Sequence, residues 1–128
     1  MVVLDTCALY WWVAAPDRLS RKAARAIAGM ERLGGVASSI CFWELGVKEQ
    51  KGKIALGVPF DEFCKRVQDT GILEIPPVDL ATWRAALQLD WKNRDPVDRV
   101  VVATAKARGL SIVTADKGIR AFYRKTIW

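Results

Sequence analysis

Short apolar runs that resemble buried parallel strands alternate along this chain with longer stretches whose apolar positions recur at helical spacing. The short runs predict strands at Val2–Leu4, Gly35–Ser38, Ile72–Ile75 and Ser111–Thr114, with a further piece near Thr126–Trp128. The longer stretches predict helices over Ala8–Ala14, Arg21–Leu33, Ile40–Lys51, Phe60–Asp69, Leu80–Leu89, Pro96–Arg108 and Lys117–Tyr123. Several boundaries have local causes. Ser20 can cap the helix from Arg21, and Gly34–Gly35 stops it. Ser38 or Ser39 can cap the next, and Pro59 suits the first turn from Phe60. Asp95–Pro96 reads as an N-cap followed by the position that tolerates proline, and Gly109 ends that helix. Such alternation implies an α/β fold, a mainly parallel sheet between helical layers. No repeat, low-complexity tract or Gly/Ser linker divides residues 1–128, so a single domain is expected.

Ligand sites in sheets of this kind form at the carboxyl ends of the strands. Four carboxylates are expected at that edge. Asp5 follows the first strand in VVLDTCAL and Asp116 follows the fourth in SIVTAD. Glu44, in SSICFWELGVKEQKGK, and Asp98, in RDPVDRVVVATA, lie in the opening turns of helices. Each acid sits in or beside a run apolar enough to bury it, and a buried carboxylate is costly unless something pairs with it. These runs offer no obvious set of cationic partners, so a bound divalent cation would offset the charge.

Each position also has a plainer reading. Asp5 suits a helix cap as well as it suits a metal ligand at a strand end. Glu44 shares a helical face with Ile40, Cys41 and Val47, beside Trp43. Its plain role is an i,i+4 pair with Lys48, worth ~0.3–0.5 kcal/mol on an exposed face and weak compensation for an inward acid. Asp98 is the third helical residue, on the stripe of Val101, Val102 and Ala105. The helix dipole would favour an acid there without requiring it to face inward. Asp95 is assigned to the cap, with a possible helper role beside Asp98. Asp116 can cap Lys117–Tyr123. Asp79, after the third strand, has the same cap reading and serves as a control, because position alone does not make a site.

Composition narrows the chemistry. There is no histidine among the 128 residues, which excludes imidazole acid–base catalysis, Ser–His and Cys–His pairs and most zinc or copper sites. Cys7, Cys41 and Cys64 are odd in number, widely spaced and in apolar settings, as expected of reduced core residues in a cytoplasmic protein. No apolar stretch approaches the roughly 20 residues that span a bilayer, and the opening MVVLDT, with its early acid, is unlike a signal peptide. The net charge of +6 sets an acidic site within a basic surface, which either favours polyanions or only aids solubility. Lys48, Lys51 and Lys53 extend the helix that bears Glu44, and Arg18, Arg21, Lys22 and Arg25 form a second basic cluster. Both can line a phosphate backbone or simply face water. Trp11, Trp12, Trp43, Trp83, Trp91 and Trp128 read mainly as core or interface, with room for one to stack a base.

Clustered carboxylates without histidine suit Mg²⁺ or Mn²⁺, which take oxygen ligands and keep waters. Such ions can activate a water and stabilise charge on a phosphodiester, the chemistry of a metal-dependent nuclease. Two other acid-based α/β chemistries fit less well. Haloacid-dehalogenase-type phosphatases need a second Asp two residues after the first, where this chain has Cys7; a phospho-acceptor receiver needs an acid pair where Leu4 precedes Asp5.

The segments VVLDTCALYWW, VASSICFWELGVKEQKGKI, FDEFCKRVQDTGILEIPP, RDPVDRVVVATAKARGLSIVTAD and IRAFYRKTIW, with LDT, WE, DPxDR and TAD in order, cover nearly the whole chain. Together they resemble PIN-domain ribonucleases, specifically the VapC-type toxins of VapBC toxin–antitoxin pairs. The resemblance implies a three-layer α/β/α domain in which Asp5, Glu44, Asp98 and Asp116 bind Mg²⁺ or Mn²⁺ and hydrolyse single-stranded RNA. It further implies polar groups at Thr6 and Ser39 near the acids, a homodimer, and a small antitoxin whose tail enters the acidic groove. Cys7 departs from the His often found at that position in similar sequences. The rival expectation is a PIN-like module that binds RNA or protein without cutting.

Overall fold

A computed structural model of the chain describes residues 1–128. Five short strands, β1 (Val2–Leu4), β2 (Gly35–Val36), β3 (Leu73–Glu74), β4 (Ser111–Val113) and β5 (Thr126–Ile127), form one sheet in the order β3-β2-β1-β4-β5. Every neighbouring pair is parallel, so the sheet expected to be mainly parallel is wholly so. The helices are α1 (Thr6–Ala14), α2 (Arg21–Ala28), α3 (Met30–Leu33), α4 (Ser39–Gln50), α5 (Phe60–Asp69), α6 (Leu80–Leu87), α7 (Pro96–Arg108) and α8 (Lys117–Phe122), with a 3₁₀ turn at Pro16–Arg18. No helix is long and apolar enough to cross a membrane.

Most predicted elements are found within one or two residues of their expected ends. The stretch Arg21–Leu33 is the exception, because it breaks at Gly29 into α2 and α3. Glycine in a helix interior costs about 1 kcal/mol relative to alanine, and the bend here lets Met30 pack beneath β2. A Cβ at Gly35 would collide with the Met30 sulfur, so any larger residue there would have to displace the Met30 side chain from its place against the strand. Ser38, not Ser39, caps α4, and Gly109 ends α7 in the left-handed conformation with φ 65°.

Val3 and Leu4 are both fully buried, as are Ile112 and Val113. Successive strand residues point to opposite faces, so both faces of the central strands are covered, as a parallel sheet between helices requires. Helix α7 packs on β1 and β4 and against α4 and α6, while α1 packs against α4. From β1 the chain goes to β2 on one side, and after β3 it crosses to β4 on the other. The crevice outside the carboxyl ends of β1 and β4 is therefore the switch point of the sheet, where ligands bind in open α/β folds.

Between α6 and α7 the chain has no regular structure, and Arg99 organises it. Its Nε donates to Ala86 O at 2.9 Å, Nη1 to Trp91 O at 2.8 Å and Asn93 O at 2.7 Å, and Nη2 to Leu89 O at 2.8 Å and, more loosely, to Leu87 O at 3.4 Å. The five N–H groups of a guanidinium are all engaged, and every acceptor is a backbone carbonyl. Trp91, in the same loop, stacks on Phe122 with ring centroids 4.7 Å apart. Arg99→Gln should therefore lower stability by about 2–4 kcal/mol in urea unfolding, since several carbonyls lose charged donors at once. Arg99→Lys should recover little of it, because a point charge cannot address a fork of acceptors. Full stability in Arg99→Lys would overturn this reading.

Candidate active site

A cavity of about 320 Å³ opens at the switch point, and Asp5, Glu44, Asp98 and Asp116 all line it, joined by Asp95. Strand order explains the convergence. Asp5 follows β1 and Asp116 lies just beyond β4, and these strands are neighbours. Helix α7 runs back towards the start of β4, so its N-terminus, with Asp98, lies at the strands' carboxyl edge. Helix α4 leaves β2 at the same edge and carries Glu44. Asp79 shows the opposite outcome. It follows β3, two strands away from β1, and does not reach the cavity. There it only caps α6, accepting from Thr82 N at 2.9 Å and Thr82 Oγ1 at 2.7 Å.

The structure makes capping and cavity lining compatible. Asp5 Oδ1 accepts from Ala8 N at 2.7 Å and caps α1, while Oδ2 accepts from the Thr114 hydroxyl. Asp116 Oδ1 accepts from Ile119 N at 2.8 Å and caps α8. Its own N–H donates to Thr114 Oγ1 at 3.0 Å. Thr114, fully buried, thus links the two acids through one hydroxyl. Sequence reasoning gave this residue no role, although it is the first letter of the TAD segment. Asp95 Oδ1 caps α7, accepting from Val97 N at 2.8 Å and more weakly from Asp98 N at 3.4 Å. Asn93, also missed, donates from Nδ2 to Asp98 Oδ2 at 2.9 Å and accepts from Asp95 N at 2.8 Å. No motif marked it, because its place is set by the loop that Arg99 holds.

Several expectations need correction. Only Asp5 is deeply buried, at 7% exposure; Glu44 and Asp98 are half-buried and Asp116 is exposed. The carboxyl edge of the sheet is an open crevice, so an apolar run can end at water. The expected i,i+4 pair of Glu44 with Lys48 is present, though long, with Nζ at 3.5 Å. Cys7 is not a core residue but an exposed one on the cavity wall; Cys41 is buried and Cys64 lies between. Ser39 is not among the residues that line the cavity. Thr6 does line it, with Oγ1 buried against the Cys41 thiol, a weak partner, and making no geometrically sound hydrogen bond.

Residues 2–125 match the PIN domain family. The chain belongs to that family. It is 31% identical to Ribonuclease VapC22 of Mycobacterium tuberculosis, over 99% of this chain and 98% of that protein. A toxin–antitoxin complex from Klebsiella pneumoniae superposes with TM-score 0.65 at 15% identity, covering 100% of this chain and 97% of the other. Mycobacterium tuberculosis VapC20, described as a sarcin-ricin loop cleaving toxin, gives 0.66 at 15% identity over 94% of each chain. At that identity the two structures show a common fold.

Electrostatics set this PIN cavity apart from the rest of the surface. Burial pushes Asp5 up to about 6, and the charges of Asp116 and Glu44 add to it, against the lowering bonds from Thr114 and Ala8. Asp98 also rises to about 6, chiefly by burial, with Asn93 opposing and Asp95, Asp116 and Glu44 reinforcing. A cation would relieve this accumulation of like charge. The donor set suits a hard one, since the acids supply only oxygen and the chain has no imidazole. No three acidic or thiol groups stand close enough to enclose an ion by themselves. That geometry still fits Mg²⁺, which keeps several waters and binds through one or two carboxylates plus substrate oxygens.

The sign of the pH dependence follows. Asp5 and Asp98 ionise near 3.8 when unfolded and near 6 in the folded chain, so between those values the folded state holds protons more tightly. Without metal, their contribution to stability is lowest above the folded value and grows as pH falls through the window. Urea unfolding in EDTA should reveal this as a component that Asp5→Asn removes, flattening the profile of the wild type. Parallel profiles for the two proteins would show that Asp5 is not raised.

Proposed function

We propose that this PIN domain, taken as residues 1–128, is a cytoplasmic, metal-dependent endoribonuclease that hydrolyses single-stranded RNA and acts as the growth-inhibiting toxin of a toxin–antitoxin pair. The observation that carries the proposal is the convergence of Asp5, Glu44, Asp98 and Asp116 in one cavity of a chain that has no histidine. The full-length relative named a ribonuclease and the fold shared with toxins support it. Asp5 and Asp98 would be the principal ligands of Mg²⁺ or Mn²⁺, with Glu44 and Asp116 completing the set through water. When bound, the ion would supply a Lewis acid for the phosphodiester oxygens and lower the pKa of a coordinated water.

The chain's own residues hold the arrangement. Thr114 fixes Asp5 Oδ2 and the Asp116 backbone, leaving Asp116 Oδ2 without a protein partner and free to orient the attacking water. Asn93 fixes one oxygen of Asp98. The +6 net charge would hold a polyanion against the repulsion of the acids themselves. A non-cleaving module would have no use for so much clustered negative charge.

Two partners belong to the proposal. A small antitoxin would close the acidic groove, consistent with the toxin–antitoxin complex whose fold the chain shares. A second copy would cover the stripe of Leu80, Trp83 and Leu87 on α6, where the two leucines are 73% and 78% exposed. Leu87→Arg should then convert a sedimenting dimer to a folded monomer; an unchanged sedimentation coefficient would place the dimer interface elsewhere or remove it.

Purified, antitoxin-free protein should cut a defined single-stranded RNA with Mn²⁺ or Mg²⁺ and stop in EDTA. Asp5→Asn and Asp98→Asn should each lower the rate on the order of 100-fold or more, because loss of even a group that only supports a metal ligand costs 10–100-fold. Metal should also raise the melting temperature of the wild type, by the equivalent of about 2.7 kcal/mol at a hundred times its dissociation constant. Expression of the wild type, but not of Asp98→Asn, should arrest growth. Undiminished cleavage in both variants would sink the site assignment.

A further inference from the structure

A second cleft, about 370 Å³ in volume, continues from the acidic cavity and shares Glu44, Lys48, Asp95 and Val97 with it. Trp43 and Val47 on α4 and Lys51 at its C-cap form one wall, a row at i, i+4 and i+8. The start of α7 forms the other, and Lys53 lies beyond the turn that ends α4. Within this cleft Trp43 is 62% exposed, the most exposed aromatic side chain in the molecule. Three other indoles are committed: Trp11 lies against Trp128 with centroids 5.4 Å apart, and Trp91 stacks on Phe122. Trp43 has no aromatic partner, yet its helix is anchored through the buried Cys41, Phe42 and Leu45. The fold therefore presents a large flat apolar face to solvent from a rigid support.

Charge is graded along the same cleft. Lys48 pairs with Glu44 at the end nearest the acids, whereas Lys51 and Lys53 make no salt bridge. We propose that Trp43 stacks the base of a nucleotide flanking the scissile phosphate, while Lys51 and Lys53 take the phosphates that follow. This rests on the nuclease reading and adds to it a route for the substrate strand. A single-stranded RNA matches the gradient without further assumptions. Its scissile phosphate goes with a cation to the acidic end, its bases offer planar faces, and its remaining phosphates meet free ammonium groups. A peptide would need a basic residue at one end and acidic residues at the other. Because every base has a π face, stacking on an indole contributes affinity with little choice of sequence.

The test uses the full chain and a labelled single-stranded oligoribonucleotide of about a dozen nucleotides, long enough to reach beyond one OB-fold-sized minimum site of ~4 nucleotides. Affinity is read by fluorescence anisotropy in an Asp98→Asn background with EDTA, where cutting is suppressed, and KM and kcat are read with metal in the otherwise wild-type protein. Trp43→Ala should weaken binding roughly 5- to 150-fold. The loss should appear in KM with kcat nearly unchanged, and Trp43→Phe should recover most of it. Replacing Lys51 and Lys53 by Ala should reduce the slope of log affinity against log salt by about 0.7 for each phosphate that is no longer neutralised, whereas Trp43→Ala should leave that slope alone. Unchanged RNA affinity in Trp43→Ala would overturn the proposal, and so would a loss in kcat that Phe does not rescue. A change in sedimentation with RNA affinity intact would also overturn it, and would assign the indole to a protein interface. If the wild type binds RNA through Trp43 but never cuts it, the nuclease reading fails and the cleft stands. If it cuts and Trp43→Ala has the same KM, the cleft fails and the nuclease stands.

Discussion

The parallel pairing of β1 with β4 brings together two segments 109 residues apart in the chain, and Thr114 ties them at the edge through its bond to Asp5. The same hydroxyl accepts from the backbone of Asp116, so one buried side chain sets the spacing of two acids and the start of α8. Once those strands are adjacent, the carboxyl-end crevice lies between them, and helices arriving from either side bring Glu44 and Asp98 to the same opening. The cavity follows from the order of strands more than from any local feature.

That arrangement is held against electrostatic resistance. Asp5 and Asp98 both ionise near 6, well above the ordinary carboxylate range, because burial and neighbouring acids oppose their charge. The fold offsets part of this with donors aimed at single oxygens: Ala8 and Thr114 on Asp5, Asn93 on Asp98, Ile119 on Asp116. It stops short of neutralising the cluster. A site that remains short of positive charge after its hydrogen bonds are made is suited to a cation and to the phosphate oxygens a cation attracts.

Arg99 addresses a different demand of the same region. The end of α6 and the loop before α7 present a series of backbone carbonyls, and a single guanidinium collects them. In doing so it positions Asn93 beside Asp98. The loop is therefore part of the site, through Asn93 on Asp98 and through Asp95 on the cavity wall. Helix α4 performs a comparable double function, with one face buried in the core and Trp43, Glu44 and the lysines along the other side.

The alternation of short apolar runs and helical stretches was enough to predict an α/β fold, nearly every element, the caps at Ser20 and Asp95, and the positions of the acids. These are local properties: strand-sized apolar runs, capping chemistry and helical spacing act over a few residues. The break at Gly29 was only half legible, since the glycine is visible in the sequence but Met30's place under Gly35 is not. Burial was misjudged at Asp116 and Cys7 for a related reason: an apolar run shows that a strand is covered and says nothing of whether its end opens on water. Asp5, Asp79 and Asp116 all follow strands and all cap helices, so nothing local separates them. Strand order alone does, by setting β1 beside β4 and leaving β3 at the edge. The long-range partners Thr114 and Arg99 were likewise invisible, because their value lies in groups brought near only when the chain folds.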